Sequence, residues 1–249
     1  MRSKQLAQKQ ANSRTDNTSS EETDFALVKH PIPTTEERKA ITKLDVNTSN
    51  PGELGHLNEY SNLEVLNISC LEDLKEIPDS VGELSHLKEF RIDNGNGCVM
   101  NAKLPKSLGN LKNLQVLILQ GAMVADMPEP TKTPKQVQKI PDSLAQLKNV
   151  TEVDLSMDGL NEVPVFVAGL TNLKSLDLTF NGLRDLPDFL NDLPELKTVK
   201  MGENCEITQN KHKQKELQKR FPRIQFDFDD EYTDCEDLKE AKAARENKK

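Results

Sequence analysis

The sequence predicts an α/β solenoid in which about seven repeats stack their strands into one parallel sheet. Short helical turns are expected on the outside, with helical caps at both ends. Three observations predict this fold: an apolar segment recurs along the chain, a proline-containing phrase recurs between its copies, and apolar residues three apart follow that proline. Because one repeat cannot bury its own apolar side, stacked neighbours must bury it together.

The repeated apolar segment has the form LxxLxL, and its seven copies follow one another at steps of 22, 24, 27, 36, 23 and 23 residues. In its last three residues apolar and polar positions alternate, which is typical of a strand with one buried face. These strands are predicted to line the inner, concave face of an arc. The copies are Ile41–Leu44–Val46, Leu63–Leu66–Ile68, Leu87–Phe90–Ile92, Leu114–Leu117–Leu119, Val150–Val153–Leu155, Leu173–Leu176–Leu178 and Leu196–Val199–Met201.

A proline-containing phrase closes five of the repeats. Each proline fixes φ near about −65° and presents no N–H that needs a partner. The apolar residues that follow it at i, i+3 spacing predict a short helical turn on the outer, convex side. The phrases are Ile77–Pro78, Leu104–Pro105, Ile140–Pro141, Val163–Pro164 and Leu186–Pro187.

Together these segments give the pattern LxxLxLxxNxLxxLPxxLxxLxxL, which resembles the leucine-rich repeat family in its short, proline-phased intracellular and bacterial type. The resemblance covers roughly residues 41–228. It implies that an asparagine after each strand satisfies backbone groups of neighbouring turns. Asn181 and Asn204 occupy this position, whereas Asp158 replaces asparagine in the repeat that starts at 150, so the asparagine ladder is incomplete.

Flanking segments and one insertion complete the predicted organisation around a solenoid at residues 41–207. Residues 1–24 are predicted to form a disordered polar tail and residues 229–249 a charged tail, because neither has the apolar residues that a core requires. The two caps are expected to cover the open edges of the sheet. A proline-rich insertion of this length is more often functional or disordered than structural. The caps are residues 25–40 and 208–228, and the insertion is 122–139.

Charge and hydropathy exclude several functional classes. A net charge of −8 argues against a general nucleic-acid binder, which requires a basic surface. No apolar run is long enough for a transmembrane helix, and the N-terminus lacks the apolar core of a secretory signal. We therefore predict a cytoplasmic protein without membrane contact, and export without an ordinary signal peptide is the alternative.

The four cysteines are Cys70, Cys98, Cys205 and Cys235, and they form no CxxC pair. Extracellular proteins of the leucine-rich repeat family usually carry paired cysteines in their caps, and none precedes the first repeat here. We therefore expect reduced thiols rather than disulfides or a metal site. No residue pattern indicates a cofactor.

The polar positions of each strand are predicted to face outward on the concave side. In the middle strands they combine an apolar strip with carboxylates, and large apolar residues follow at the rim. This combination is typical of a partner-binding surface, where a few apolar anchors carry most of the binding energy. The predicted partner-binding residues are Val116, Ile118, Glu152, Asp154, Met157, Asp177 and Phe180.

The sequence thus predicts a non-enzymatic module that binds a protein partner on its concave face, and the carboxylates imply a basic partner. Asp154 and Asp177 would lie about 4.8 Å apart, close to the spacing of a retaining glycosidase pair. However, an open sheet is expected to offer no enclosed pocket that raises one pKa. The alternatives are a bacterial effector exported into a host cell, and an accessory or substrate-recognition subunit of an enzyme complex such as a ubiquitin ligase.

Overall fold

The computed structural model describes residues 33–71, 73–93, 102–122 and 140–229. In these residues, eight parallel strands form one sheet in chain order, so each strand pairs with the strand of the next repeat. Seven strands begin within the predicted LxxLxL segments, which confirms the predicted α/β solenoid. The strands are β1 (Lys43–Val46), β2 (Val65–Ser69), β3 (Glu89–Asp93), β4 (Val116–Gln120), β5 (Glu152–Asp154), β6 (Ser175–Asp177), β7 (Thr198–Lys200) and β8 (Gln225–Asp227).

Short helical segments return the chain along the convex side. Five 3-10 turns each start directly after a proline that was predicted to close a repeat, as the fixed φ of proline favours. The 3-10 segments are Pro51–Glu59, Asp79–Glu83, Lys106–Asn110, Asp142–Gln146, Val165–Gly169 and Asp188–Asp192. The α-helices in the described residues are α1 (Thr35–Ala40), α2 (Cys205–Thr208) and α3 (Lys211–Arg220).

Neighbouring convex turns approach each other so closely that the residue at the point of contact must be glycine. A Cβ on Gly82 would lie 2.5 Å from the backbone oxygen of Ser107. A Cβ on Gly109 would lie 2.5 Å from the backbone oxygen of Ser143. Both distances are shorter than a tolerable contact, so the absence of a side chain lets the turns meet backbone to backbone. Each repeat therefore contacts the next through its turn as well as through its strand.

One apolar core lies between the sheet and the convex turns. Leu176 and Leu178 from the sheet side, and Leu190 from a convex turn, are fully buried in it. Along β2, β3 and β4, buried residues alternate with half-buried ones, as the LxL pattern predicts. The residues between the leucines therefore lie on the concave face.

A buried ion-pair network, which the sequence analysis did not predict, joins α1 to the first 3-10 segment. Only 4% of the Arg38 side chain is exposed, and its guanidinium lies 2.9 Å from a carboxylate oxygen of Glu53 and of Glu59. The Tyr60 hydroxyl also donates to Glu53. Burial would raise the pKa of Glu53, but the hydrogen bonds from Arg38 and Tyr60 hold it below its ordinary value. The network therefore fixes the helix at the β1 end of the solenoid.

Buried asparagines connect the turns that follow the strands, as the family resemblance implied. The Asn181 amide donates to Leu155 O of the preceding repeat at 2.8 Å and to Leu178 O at 2.9 Å. Its Oδ1 accepts a hydrogen bond from Leu160 N–H at 2.9 Å. Asn204 makes equivalent contacts, including a 2.8 Å bond to Leu178 O. Each side chain thus satisfies backbone groups of two repeats.

A second ladder, not predicted from the sequence, lies just before the first apolar residue of the repeats. At this position Asn113 donates to Ser85 O at 2.7 Å, so its side chain bonds the backbone of the preceding repeat. His86 takes the same place, with Nδ1 2.9 Å from Ser61 O. The ladder consists of Asn62, His86, Asn113, Asn149 and Asn172.

Cys70 and Cys205 are disulfide-bonded, so the prediction of reduced thiols was wrong for both. That prediction rested on the scattered positions of the cysteines, which form no CxxC pair, and on the absence of a cysteine before the first repeat. A solenoid, however, places the ends of successive strands side by side although more than 20 residues separate them in the chain. Cys98 and Cys235 lie outside the described residues.

Several predicted segments also lie outside the described residues. They are the tail at 1–24, residues 25–32 of the N-terminal cap, the insertion 122–139 except Ala122, and the tail 229–249 except Asp229. In the described parts of the chain, no helix is both long enough and apolar enough to cross a membrane.

We predict that Leu178→Ala lowers the free energy of unfolding by about 2–5 kcal/mol, because truncation of this fully buried side chain leaves a cavity. The matched control is Val165→Ala on the convex side, where the side chain is 76% exposed and the expected change is below about 0.5 kcal/mol. Urea denaturation followed by circular dichroism measures both. A loss below about 1 kcal/mol for Leu178→Ala would contradict the strand register.

We predict that Asn181→Ala lowers the free energy of unfolding by about 1–3 kcal/mol, because it leaves buried backbone groups without partners. Asn172→Ala removes a similar hydrogen bond, to Lys148 O, from the exposed ladder, where water replaces the amide. Its expected cost is below about 1 kcal/mol. Equal losses in the two variants, measured by urea denaturation, would show that burial does not distinguish the two ladders.

Candidate functional site

The sheet brings the predicted partner-binding residues of β4, β5 and β6 into two parallel rows on the concave face. Neighbouring members of a row lie on adjacent strands, about 4.8 Å apart. The two rows are Val116–Glu152–Ser175–Thr198 and Ile118–Asp154–Asp177–Lys200. An apolar strip on β4 therefore borders a strip of carboxylates on β5 and β6.

These rows border a cavity of about 250 Å³ on the concave face. Ile118 supplies an apolar wall, and Asp154 and Asp177 supply the adjoining acidic wall. Arg91 on β3 and Lys200 on β7 line the cavity on either side. Ile118, Asp154 and Asp177 are half-buried, so the surface offers both apolar contact and charge to a ligand.

The pKa of Asp154 lies above its ordinary value. Burial of the carboxyl group is the main cause, and the charge of Asp177 on the next strand adds to it. Hydrogen bonds from Ser156 offset part of the rise, and the Ser156 N–H lies 2.8 Å from Oδ1. The expectation that an open sheet cannot raise the pKa of a carboxyl group was therefore wrong. The strands on both sides of Asp154 exclude enough water to raise it.

Asp177 differs from Asp154 because it forms an ion pair with a lysine. The Thr179 N–H donates to Asp177 Oδ1 at 3.0 Å, and Lys200 Nζ lies 3.1 Å from Oδ2. This ion pair is the main cause of a raised pKa at Lys200. Within the described part of the chain, neither Asp154 nor Glu152 forms an ion pair. Their negative charges are the ones left to attract a basic group.

Met157 and Phe180 follow β5 and β6 at the rim of the concave face, and both have a left-handed backbone conformation. Their φ angles are 63° and 60°, and φ is 64° at Gly121, the equivalent residue after β4. Glycine adopts this conformation freely, whereas it costs a residue with a Cβ about 1–2 kcal/mol. Large apolar side chains therefore stand where the backbone favours glycine.

Hydrogen bonds between repeats hold these rim residues in place. The Met157 N–H donates to Thr179 O at 3.0 Å, and the Phe180 N–H donates to Gly202 O at 2.8 Å. Met157 Sδ also lies 3.8 Å from Gln120 Nε2, so this side chain turns back towards β4. Strained residues fixed by surrounding structure cluster at binding and catalytic sites.

A second and larger groove, of about 530 Å³, runs along the starts of the strands. His86, Asn113 and Asn149 from the exposed ladder line it, together with Lys88 and Lys174. The polar groups of the ladder residues already bond to backbone carbonyls of the preceding repeat, so they serve stacking. The concave rows are therefore the stronger candidate site. The described residues contain no group of His, Cys, Asp or Glu that could hold a metal ion.

No protein-family model matches the chain, and no curated protein matches its sequence. Solved structures similar to it are leucine-rich repeat proteins, among them one type III effector and internalins of Listeria monocytogenes. The single parallel sheet, the convex 3-10 turns and this similarity together show that the chain has a leucine-rich repeat fold.

Three solved structures illustrate the similarity. The TLR13–ssRNA13 complex aligns with 79% of this chain and 27% of that chain, at a TM-score of 0.50 and 15% identity. The leucine-rich repeat domain of the type III effector XopL aligns with 69% of this chain and 56% of that chain, at a TM-score of 0.47 and 19% identity. InlP of Listeria monocytogenes aligns with 69% of this chain and 54% of that chain, at a TM-score of 0.45 and 22% identity. The chain thus spans little more than half of the last two, and identities this low indicate the fold alone.

We predict that the Phe180→Gly variant is more stable than Phe180→Ala by about 1 kcal/mol, because only glycine relieves the strain of φ 60°. The matched control is Ser175 in β6, where the backbone is extended. There the order is expected to reverse, with the glycine variant less stable than the alanine variant by about 0.5–1 kcal/mol. Urea midpoints of the four variants measure both differences. The same order at both positions would contradict the strain assigned to Phe180.

Proposed function

We propose that the chain is a non-enzymatic interaction module that binds a protein partner on the concave face of β4, β5 and β6. In this proposal apolar side chains of β4 and of the rim anchor the partner, and carboxylates beside them orient it. The proposed binding residues are Val116, Ile118, Glu152, Asp154, Met157, Asp177 and Phe180.

The observation that carries this proposal is the presence of two large apolar side chains, Met157 and Phe180, at the rim beside the carboxylates of β5 and β6. Both side chains are half-buried at the rim, and glycine would satisfy the backbone there at lower cost. The equivalent position carries Gly121 after β4, Cys70 after β2 and Glu203 after β7, so the repeat accepts side chains of different chemistry there. Phenylalanine and methionine supply large apolar area to an interface, and such anchors dominate binding energy when a partner covers them.

The charge pattern favours a partner with a basic group. Asp177 is already paired with Lys200, whereas Asp154 and Glu152 have no cation among the described residues. A lysine or arginine of the partner placed over Ile118 would reach both carboxylates and would offset the burial of Asp154. Charge complementarity of this kind acts mainly on association rate and specificity.

The same charge pattern favours protein over nucleic acid as the partner. One of the similar structures is a complex with single-stranded RNA, but a phosphate backbone would meet the carboxylates of β5 and β6 on this surface. A catalytic role for Asp154 and Asp177 is not proposed, because Lys200 already pairs with Asp177. An exported effector or a recognition subunit would use the same concave surface in the same way.

To test this proposal, the full chain is immobilised and used to isolate a partner, whose affinity is then measured by calorimetry for each variant. We expect Phe180→Ala to weaken binding by about 30-fold or more, equivalent to about 2 kcal/mol, while the free energy of unfolding stays within about 1 kcal/mol of the wild type. Asp154→Asn is expected to slow association and to reduce its dependence on salt.

The matched control is Val165→Ala, which truncates an exposed apolar side chain on the convex side and should leave the affinity unchanged. Binding to a basic partner should also weaken in mild acid, because the raised pKa of Asp154 brings its protonation to a higher pH than usual. Asp154→Asn should lose this pH dependence. The proposal would be contradicted if Phe180→Ala and a deletion of residues 128–137 both bound the partner with wild-type affinity. If Val165→Ala then bound more weakly, the site would lie on the convex side.

A further inference from the structure

We infer that the concave face recognises an extended segment of the partner that carries two arginines separated by one residue. The two guanidinium groups bind Glu152 and Asp154, and their aliphatic stems lie along Val116 and Ile118 on the neighbouring strand. This inference rests on the proposed function, and it adds the chemistry and the spacing of the side chains that the partner presents.

The two concave rows carry an excess of negative charge. From β4 to β7 they contain three carboxylates, on Glu152, Asp154 and Asp177, and one cation, on Lys200. Lys200 Nζ lies 3.1 Å from Asp177 Oδ2, so these two charges neutralise each other. In the part of the chain that the structure describes, Glu152 and Asp154 form no ion pair. Two cationic groups of a partner would therefore neutralise the rows.

Each of these two carboxylates has an apolar neighbour on β4. The register places Val116 beside Glu152 and Ile118 beside Asp154. Neighbouring strands lie about 4.8 Å apart, so a partner side chain that approaches a carboxylate from the β4 side lies against the apolar residue. Arginine and lysine bury their aliphatic stems on apolar surface in this way while the charged group remains free to bind. The surface thus offers two adjacent places for a long basic side chain.

Cations on the flanking strands restrict such a side chain to β5. Arg91 on β3 and Lys200 on β7 line the cavity on either side of Asp154. Each already has a carboxylate, because Arg91 Nη2 lies 2.8 Å from Glu89 Oε2 and Lys200 is paired with Asp177. Both groups repel a further cation. The strand β5 carries two carboxylates and no basic residue, so a cation gains most there.

The spacing of the carboxylates favours an extended segment. Glu152 and Asp154 are separated by one residue of β5, so they lie on the same face about 6.6 Å apart along the strand. An extended segment presents its residues i and i+2 on one face with the same repeat. If the segment lies along β5, each basic side chain has a carboxylate opposite it. Directly adjacent basic residues would point to opposite faces, and only one of them would meet the sheet.

Arginine suits this surface better than lysine. Asp154 is half-buried, and its Oδ1 already accepts a hydrogen bond from the Ser156 N–H at 2.8 Å. A cation that binds there loses part of its hydration, and a guanidinium group is more weakly hydrated than an ammonium group. The planar guanidinium also donates two parallel hydrogen bonds to a carboxylate, which fixes the direction of its stem. Arginine therefore gains more than lysine at this site.

The first test measures the binding of three fluorescent peptides to the full wild-type chain by fluorescence anisotropy. They are Phe-Ser-Arg-Ser-Arg-Ser-Phe, its isomer Phe-Ser-Arg-Arg-Ser-Ser-Phe, and the first sequence with lysine in place of arginine. A phenylalanine at each end supplies an apolar residue to the rim in either direction of the peptide. We expect the first peptide to bind about tenfold more tightly than its isomer, because it places one more close charge pair across the interface.

We expect the lysine peptide to bind several-fold more weakly than the first peptide, because its ammonium groups are more strongly hydrated. Equal affinities of the two arginine isomers would overturn the spacing. Equal affinities of the arginine and lysine peptides would overturn the choice of arginine.

The second test is a double-mutant cycle between peptide and protein. Citrulline in place of either arginine keeps the shape and removes the charge, so it should weaken binding to the wild type about tenfold. In the double variant Glu152→Gln, Asp154→Asn the same replacement should change the affinity by less than about twofold, because no carboxylate is left to pair. The matched control is Glu162→Gln, which removes an exposed carboxylate outside the sheet and should keep the tenfold loss.

The outcomes separate this inference from the proposed function. If citrulline weakens binding equally in the wild type and in the double variant, the arginines bind elsewhere and the inference fails. No peptide binding at millimolar concentration would also overturn it. In either case the concave site still stands if Phe180→Ala weakens binding of the isolated protein partner. If Phe180→Ala leaves that affinity unchanged, the proposed function fails as well.

Discussion

The hydrogen bonds that join each repeat to the next determine almost every other feature of this molecule. They form the parallel ladder from β1 to β8 and continue past the short strands, where Leu155 N–H donates to Asp177 O at 2.9 Å. The buried and exposed side-chain ladders add bonds between repeats on either side of the sheet. Since no repeat buries its apolar side alone, these bonds and the shared core form together. They also fix the spacing of the concave rows.

The same bonds create a variable position at the rim. The second residue after the LxL segment has a left-handed backbone in five repeats, and the chain uses it for different purposes: Gly121 is unstrained, Met157 and Phe180 are apolar, and Cys70 is disulfide-bonded. Glu203 is the fifth case. Met157 and Phe180 are half-buried at this position, whereas Glu203 is buried. The repeat therefore fixes the backbone at this position and allows side chains of different chemistry.

The sequence was sufficient to predict the strand register, because a period-two alternation leaves only one way to bury the leucines. That register placed Ile118, Asp154 and Asp177 in one row, as observed. It could not predict contacts that depend on how neighbouring side chains turn, such as the Asp177–Lys200 ion pair. It also could not predict the contact of His86 with Ser61 O, because only the stacked backbone places that carbonyl beside the ring. The disulfide-bonded state of Cys70 and Cys205 escaped prediction for the same reason, since the sequence does not show which side chains the fold brings together.

Strained residues recur along the solenoid, because successive repeats form the same turn after their strands. Met157 and Phe180 belong to interior repeats, where strands on both sides hold the backbone and can sustain a cost of about 1–2 kcal/mol at each residue. The same left-handed backbone occurs at Cys70 and Glu203, closer to the two ends of the array, so the turn after each strand imposes this conformation and position in the array does not. The ends are reinforced by the buried Arg38 network at one side and by the contact of Asp229 with Gly202 at the other. What distinguishes the middle repeats is therefore the side chain, because Met157 and Phe180 present apolar area at the rim beside the carboxylates of β5 and β6.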